Sequence, residues 1–108
     1  MIYELRVYRV APNQMPKLLA RFRDHTLAIW ERHGIRQLGF WTTLVGDSNH
    51  ELTYILQWES WEDRERRWNA FLKDPAWLRA RDESERDGPL IANIANQMLA
   101  PTDFSALK

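Results

Sequence analysis

Residues 35–59, Ile35-Arg36-Gln37-Leu38-Gly39-Phe40-Trp41-Thr42-Thr43-Leu44-Val45-Gly46-Asp47-Ser48-Asn49-His50-Glu51-Leu52-Thr53-Tyr54-Ile55-Leu56-Gln57-Trp58-Glu59, decide the fold. Two runs rich in β-branched and aromatic residues, 35–45 and 50–59, flank the turn formers Gly46 to Asn49, so the pair reads as a β-hairpin with a short loop. Working upstream, Ile2-Tyr3-Glu4-Leu5-Arg6-Val7-Tyr8-Arg9-Val10 alternates with period two, which predicts a first strand. Ala11-Pro12-Asn13 breaks it, and Asn13 or Gln14 opens a helix with apolar residues at Met15, Leu18, Leu19, Phe22, Ile29 and Trp30. His25 and His33 fall on the same stripe, and the steps of three and four describe an amphipathic helix of about five turns. Pro16 sits in its first turn, and Gly34 after His33 is a left-handed C-cap.

Downstream of the hairpin, Ser60 caps a second helix with Trp61, Arg64, Trp68 and Phe71 along one side and Glu62 and Asp63 in its first turn. Asp74-Pro75 restarts a helix, with Asp as the cap and Pro at the first position, running to about Asp87. Gly88-Pro89 ends it, Leu90 to Leu99 is a fourth strand, and Ala100-Pro101 begins a tail. The order is β-α-β-β-α-β, which predicts an α+β, ferredoxin-like fold. Its four-stranded antiparallel sheet carries helices on one face, in a single domain over residues 1–108.

Composition narrows the function classes. The chain has 15 basic and 15 acidic residues, so it lacks the basic excess that nucleic acid or an anionic membrane demands. It has no cysteine, which removes disulfide frameworks, thiol catalysis and thiolate metal sites. Charges stand near the N-terminus where a signal peptide needs its apolar segment, and no apolar run is long enough to cross a bilayer. The expectation is a cytoplasmic protein with no nucleic-acid and no membrane partner. Six tryptophans in 108 residues require a place, and Trp30 and Trp58 are expected between helix and sheet.

Alternation splits each strand into two faces. One is mostly apolar and is expected to meet the helices: Tyr3, Leu5 and Val7; Leu38, Phe40 and Leu44; Leu52, Tyr54, Leu56 and Trp58; Leu90, Ala92, Ile94 and Met98. The opposite face is mixed, with Ile2, Glu4, Arg6, Tyr8 and Val10 on the first strand, Trp41 and Thr43 on the second, Ile55 on the third, and Asn93 and Gln97 on the fourth. That face carries more apolar area than a lone monomer exposes. The expected solution is a homodimer whose two sheets pack face to face as an α/β barrel, with a partly polar interior that takes a small molecule. A solvated second face is the simpler alternative.

The candidate ligand-binding residues are therefore Glu4, Arg6, Tyr8, Trp41 and Thr43, with His25 as a candidate proton carrier. Arg6 would pair a ligand carboxylate or enolate, and Tyr8 would donate to an oxygen. The competing reading is a Glu4–Arg6 ion pair with Tyr8 packed over it. His25 and His33 are eight residues apart and His50 borders the hairpin turn, so no metal site is expected. On the buried stripe, both helix histidines also read as core residues bonded to backbone. Arg64 is expected to stack on indole, Trp77 to plug the second helical region, and Phe104 to anchor on a partner or fray. No activated nucleophile, phosphate loop or paired carboxylates are visible, and no cofactor is implied.

Four segments together, Tyr3 to Tyr8, Arg32-His33-Gly34, Gly39-Phe40-Trp41-Thr42 and Asp74-Pro75-Ala76-Trp77, resemble the NIPSNAP family, part of the wider dimeric α/β-barrel group. The resemblance spans nearly the whole chain. Where many members have Pro-Gly-Lys after the first strand, this chain has Pro12-Asn13-Gln14. Asn also takes the left-handed conformation, so the turn is kept, but the lysine's positive charge is absent there. The resemblance implies the ferredoxin-like homodimer but no reaction. Relatives in the wider group include cofactor-independent monooxygenases, muconolactone-isomerase-like enzymes, haem-binding proteins and stress-responsive proteins. Two functional readings follow. In the first, a homodimer binds a small aromatic or carbonyl-containing ligand in the barrel cavity, with cofactor-free oxygenation or isomerase chemistry. In the second, the barrel is packed shut and serves as a noncatalytic stress-responsive or assembly module.

Overall fold

The hairpin forms, with β2 at Arg36–Thr42 and β3 at Glu51–Trp58, in a computed structural model that describes residues 1–108. Its connection is longer than the four-residue turn expected. Pairing ends where Thr42 faces Leu52, and Leu44 and Val45, expected in the strand, stand 87% and 95% exposed. They have neither a cross-strand partner nor a cover for their β propensity to act on. β1 (Ile2–Val10) lies between β3 and β4 (Ile91–Leu99), giving the order β2-β3-β1-β4 with every pair antiparallel. This is the ferredoxin-like arrangement, with its helices packed on one face.

The first helical region is continuous but not uniform. α1 (Met15–Arg21) runs into a π-helical segment, Phe22–Thr26, and then α2 (Leu27–Arg32). Asn13 enters it at φ 67° and Gly34 leaves it at φ 71°, both in the left-handed region expected of them. The wider π turn shifts the helical phase, so the buried positions run Leu18, Arg21, Phe22, Thr26, Ile29 and Trp30. His25 is thereby turned out to solvent, which corrects its expected place on the buried stripe. His33 is half-buried at the helix end, and its imidazole meets the Asp74 carboxylate at 2.8 Å instead of a backbone group.

α3 (Trp61–Leu72) starts at Ser60, whose hydroxyl accepts from the Asp63 amide, while the Asp63 carboxylate accepts from the Glu59 amide. α4 (Pro75–Ser84) starts at Asp74, which accepts from Ala76 N at 2.8 Å. Both caps are the residues the sequence singled out. Trp30 and Trp58 are core, 2% and 1% exposed, and Trp68 packs against both.

One strand is inverted relative to expectation. Arg6 stands opposite Tyr54, Glu4 opposite Leu56 and Tyr8 opposite Leu52, and residues directly opposite share a face. The alternate residues of β3 face the helices as expected, so Glu4, Arg6, Tyr8 and Val10 do too. Tyr3, Leu5 and Val7 lie on the other face with Thr53 and Ile55. The polar pattern misleads because Glu4 and Arg6 are not solvated. Glu4 is 0% exposed and its carboxylate is fully engaged inside the protein.

Burial pushes the Glu4 carboxyl up, but hydrogen bonds from Arg64, Asn96 and Arg6 outweigh it and pull its pKa from the ordinary 4.5 to about 2. The folded value lies below the ordinary one, so this stabilisation is complete above pH 4.5 and is lost as pH falls toward about 2. Glu4→Gln leaves two guanidiniums without their shared counter-charge and is expected to cost about 3–5 kcal/mol at pH 7, read by urea unfolding. The same substitution should flatten the acid limb of the stability curve over that window.

Candidate functional site

Strand alternation delivers Glu4, Arg6 and Tyr8 side by side beneath the helices, with Arg6 bonded to Glu4 directly and to Tyr8 through Tyr54. Glu4 Oε1 accepts from Trp58 Nε1 at 3.1 Å and Arg64 Nε at 2.9 Å. Its Oε2 accepts from Arg6 Nη1 at 2.8 Å, Arg64 Nη2 at 3.0 Å and Asn96 Nδ2 at 2.9 Å. The carboxylate is thus a hub joining β1, β3, β4 and α3, with little accepting capacity left for a ligand. Arg64 also lies 5.9 Å from the Trp68 ring, the stacking expected of it, but its forked pairing with Glu4 is the stronger contact.

Arg6 Nε donates to the Tyr54 hydroxyl at 2.8 Å, and the Tyr54 and Tyr8 hydroxyls are 2.7 Å apart. Burial and the neighbouring Tyr8 push the Tyr54 phenol well above its ordinary pKa, so it stays protonated. Tyr54 is fully buried, and Arg6 is a donor, so the Tyr54 hydrogen has Tyr8 as its acceptor. The Tyr8 hydrogen is then left for another acceptor. Burial opposes charge on Arg6, but Tyr54, Tyr8 and Glu4 outweigh that and raise its pKa; its guanidinium also sits 4.7 Å from the Trp68 ring centre.

Arg6, Tyr8 and Trp68 border a cavity of about 550 Å³ between the sheet and the helices. Arg6 and Tyr8 supply its floor with Ile91 to Ile94 of β4; Arg21, Phe22 and Thr26 of α1 and the π segment form one wall. Trp30, Trp68, Phe71 and Trp77 make it strongly aromatic, and Arg81 and Glu85 also border it. Two buried donors of these residues, Arg21 Nε and Trp30 Nε1, meet no acceptor in the protein. A concave aromatic space with a few convergent donors is the composition of a small-molecule site. The π segment places Phe22 and Thr26 in this wall, in keeping with the association of π turns with functional sites.

The other candidates lie elsewhere. Trp41 is half-exposed on the opposite face of the sheet and crosses Gly39, whose Cβ position would be 2.7 Å from the indole. Thr43 follows the end of β2, outside the cavity. His25 borders a shallow surface depression with Lys17 and Asp24. No three His, Asp or Glu side chains gather closely enough to hold a metal ion. Sequence reasoning missed Tyr54, Arg21 and the Trp68–Trp77 wall as site residues. The signals were a tyrosine between two leucines on a buried strand face, and an arginine three residues after Leu18 on the helix stripe.

The NIPSNAP family model matches residues 3–106, so this chain belongs to the NIPSNAP family. Among solved structures it is similar to a NIPSNAP family protein of unknown function from Agrobacterium tumefaciens, at 30% identity and TM-score 0.87, covering 100% of this chain and 94% of that one. A second NIPSNAP family protein of that organism matches at 27% identity and TM-score 0.88, covering 99% and 98%. A putative antibiotic biosynthesis monooxygenase from Nitrosomonas europaea, at 12% identity and TM-score 0.64 over 94% and 98%, shares the fold. No curated protein matches the chain.

Tyr54→Phe should leave Arg6 Nε buried without an acceptor and lower stability by about 1–3 kcal/mol in chemical denaturation. Tyr8→Phe, which leaves only the Tyr54 hydrogen unpaired, is expected to cost less.

Proposed function

We propose that this NIPSNAP protein binds a small aromatic or carbonyl-containing molecule in the cavity beneath its helices. The observation that carries the reading is the coincidence of an aromatic-walled space of about 550 Å³ with the Arg6–Tyr54–Tyr8 chain at its floor. Rings of Phe22, Trp30, Phe71 and Trp77 match a flat ligand, while Tyr8 and the free Arg6 Nη2 offer donors to its oxygen. Such donors stabilise negative charge on a ligand's carbonyl oxygen, as in the enolate forms that cofactor-free oxygenation and isomerase chemistry use.

The second part of the proposal is a homodimer through the face of the sheet turned away from the helices. Leu5, Val7, Ile55 and Leu99 share that face with half-exposed Trp41. Burying such apolar area contributes about 25 cal/mol per Å² before association costs. With β1 inverted, the barrel interior between two sheets is greasier than the sequence suggested, and the ligand site moves out of it.

Calorimetric titration with aromatic acids, lactones and quinones tests the first part. Tyr8→Phe should weaken a bound aromatic carbonyl compound about tenfold, the worth of one good hydrogen bond. Unchanged affinity would remove Tyr8 from the site. Sedimentation at micromolar concentration tests the second part, with a dimer expected for the native chain and a monomer for Trp41→Glu.

A further inference from the structure

Arg21 is a buried cation that the protein leaves half-used. It is 5% exposed, yet Nη1 alone has partners, the Ser84 hydroxyl at 3.1 Å and the Glu85 carboxylate at 3.5 Å. Nε is buried with no acceptor, and no hydrogen bond is made by Nη2. The Nε/Nη2 edge is the fork that Arg64 uses to grip Glu4 in the same molecule, at 2.9 and 3.0 Å. Arg21 is fixed by its guanidinium lying 5.0 Å from the Trp77 ring centre. Burial pulls its pKa below the ordinary value, with Glu85 opposing that shift and Arg81 adding to it.

The charge around the cavity is lopsided. Arg6, Arg21 and Arg81 border it, against Glu85 alone among acids. Glu4 stands behind Arg6 and is shared with Arg64, so it does not offset Arg21. An unpaired Nε/Nη2 edge on a nine-tenths buried cation, beside a space walled by aromatic and aliphatic side chains, is complementary to one chemistry.

We propose that the ligand is an aromatic carboxylate whose two oxygens dock on the Nε/Nη2 edge of Arg21, with its ring against the aromatic wall. The proposal rests on the reading of the cavity as a small-molecule site and adds the charge and its anchoring residue. Arg21 is then the specificity-determining group, separate from the Arg6–Tyr54–Tyr8 chain that serves a second oxygen.

Benzoate and salicylate are titrated calorimetrically beside their neutral amides, benzamide and salicylamide, into the native chain, Arg21→Met and Arg21→Lys. The native chain is expected to bind the acids at least about tenfold more tightly than the amides. Arg21→Met should lose that preference while keeping its affinity for the amides, which also shows that the cavity is folded. Arg21→Lys, which keeps the charge without the fork, should fall between them. Equal affinity for acids and amides in the native chain, or a preference that survives in Arg21→Met, overturns the proposal and leaves the small-molecule reading standing. Failure of all four compounds to bind the native chain at millimolar concentration overturns that reading as well.

Discussion

A carboxylate with no exposure to water, holding five hydrogen bonds from four side chains, determines which way the central strand faces. A buried, unpaired Glu4 would cost several kcal/mol, and a one-residue change of phase would carry it to the other side of the sheet. The donors that prevent this come from three elements: Arg64 from α3, Trp58 from β3 and Asn96 from β4, joined by Arg6 on its own strand. Removing any one leaves the others facing an incomplete shell. The pairing therefore specifies as well as stabilises, because it holds Arg6 and Tyr8 under the helices.

From that anchor the arrangement of the cavity follows. Arg6, held at one end by Glu4, spends Nε on Tyr54, whose buried hydroxyl passes its hydrogen to Tyr8. The cavity floor is thus ordered from within the sheet. Its walls depend on the helices, where the π segment brings Thr26 inward and sends His25 out. Asp74 joins the two helical regions, capping α4 through Ala76 while meeting His33 and Arg32 at the end of α2. That joint positions Trp77 near Phe71, at 4.9 Å between ring centres, and so closes the aromatic side of the space.

The β-α-β-β-α-β order was legible because its evidence is local: Asn13 and Gly34 at left-handed turns, Ser60 and Asp74 at helix caps, and alternation in each strand. The faces of β3 were legible too, since Leu52, Tyr54, Leu56 and Trp58 alternate with more polar residues. β1 was not, because both of its faces carry large side chains, and the polar one is buried by partners 48 to 92 residues away. No local pattern records such partners. The same limit separated Trp41 from Arg6 and Tyr8 and hid Tyr54 among apparent core residues. The π turn escaped because a single wider turn leaves steps of three and four nearly intact while rotating His25 out of the stripe.

The proposed ligand chemistry belongs to the space between helices and sheet, and not to the sheet's far face. The six tryptophans place a reporter on each side, with Trp30, Trp68 and Trp77 bordering the cavity and Trp41 across the sheet. Indole N–H signals, assigned and followed by ¹⁵N NMR during titration with an aromatic ligand, give the most direct reading. Trp30, Trp68 and Trp77 are expected to shift together with saturation while Trp41 stays in place. A saturable shift confined to Trp41, with the three cavity indoles unmoved, would contradict that placement.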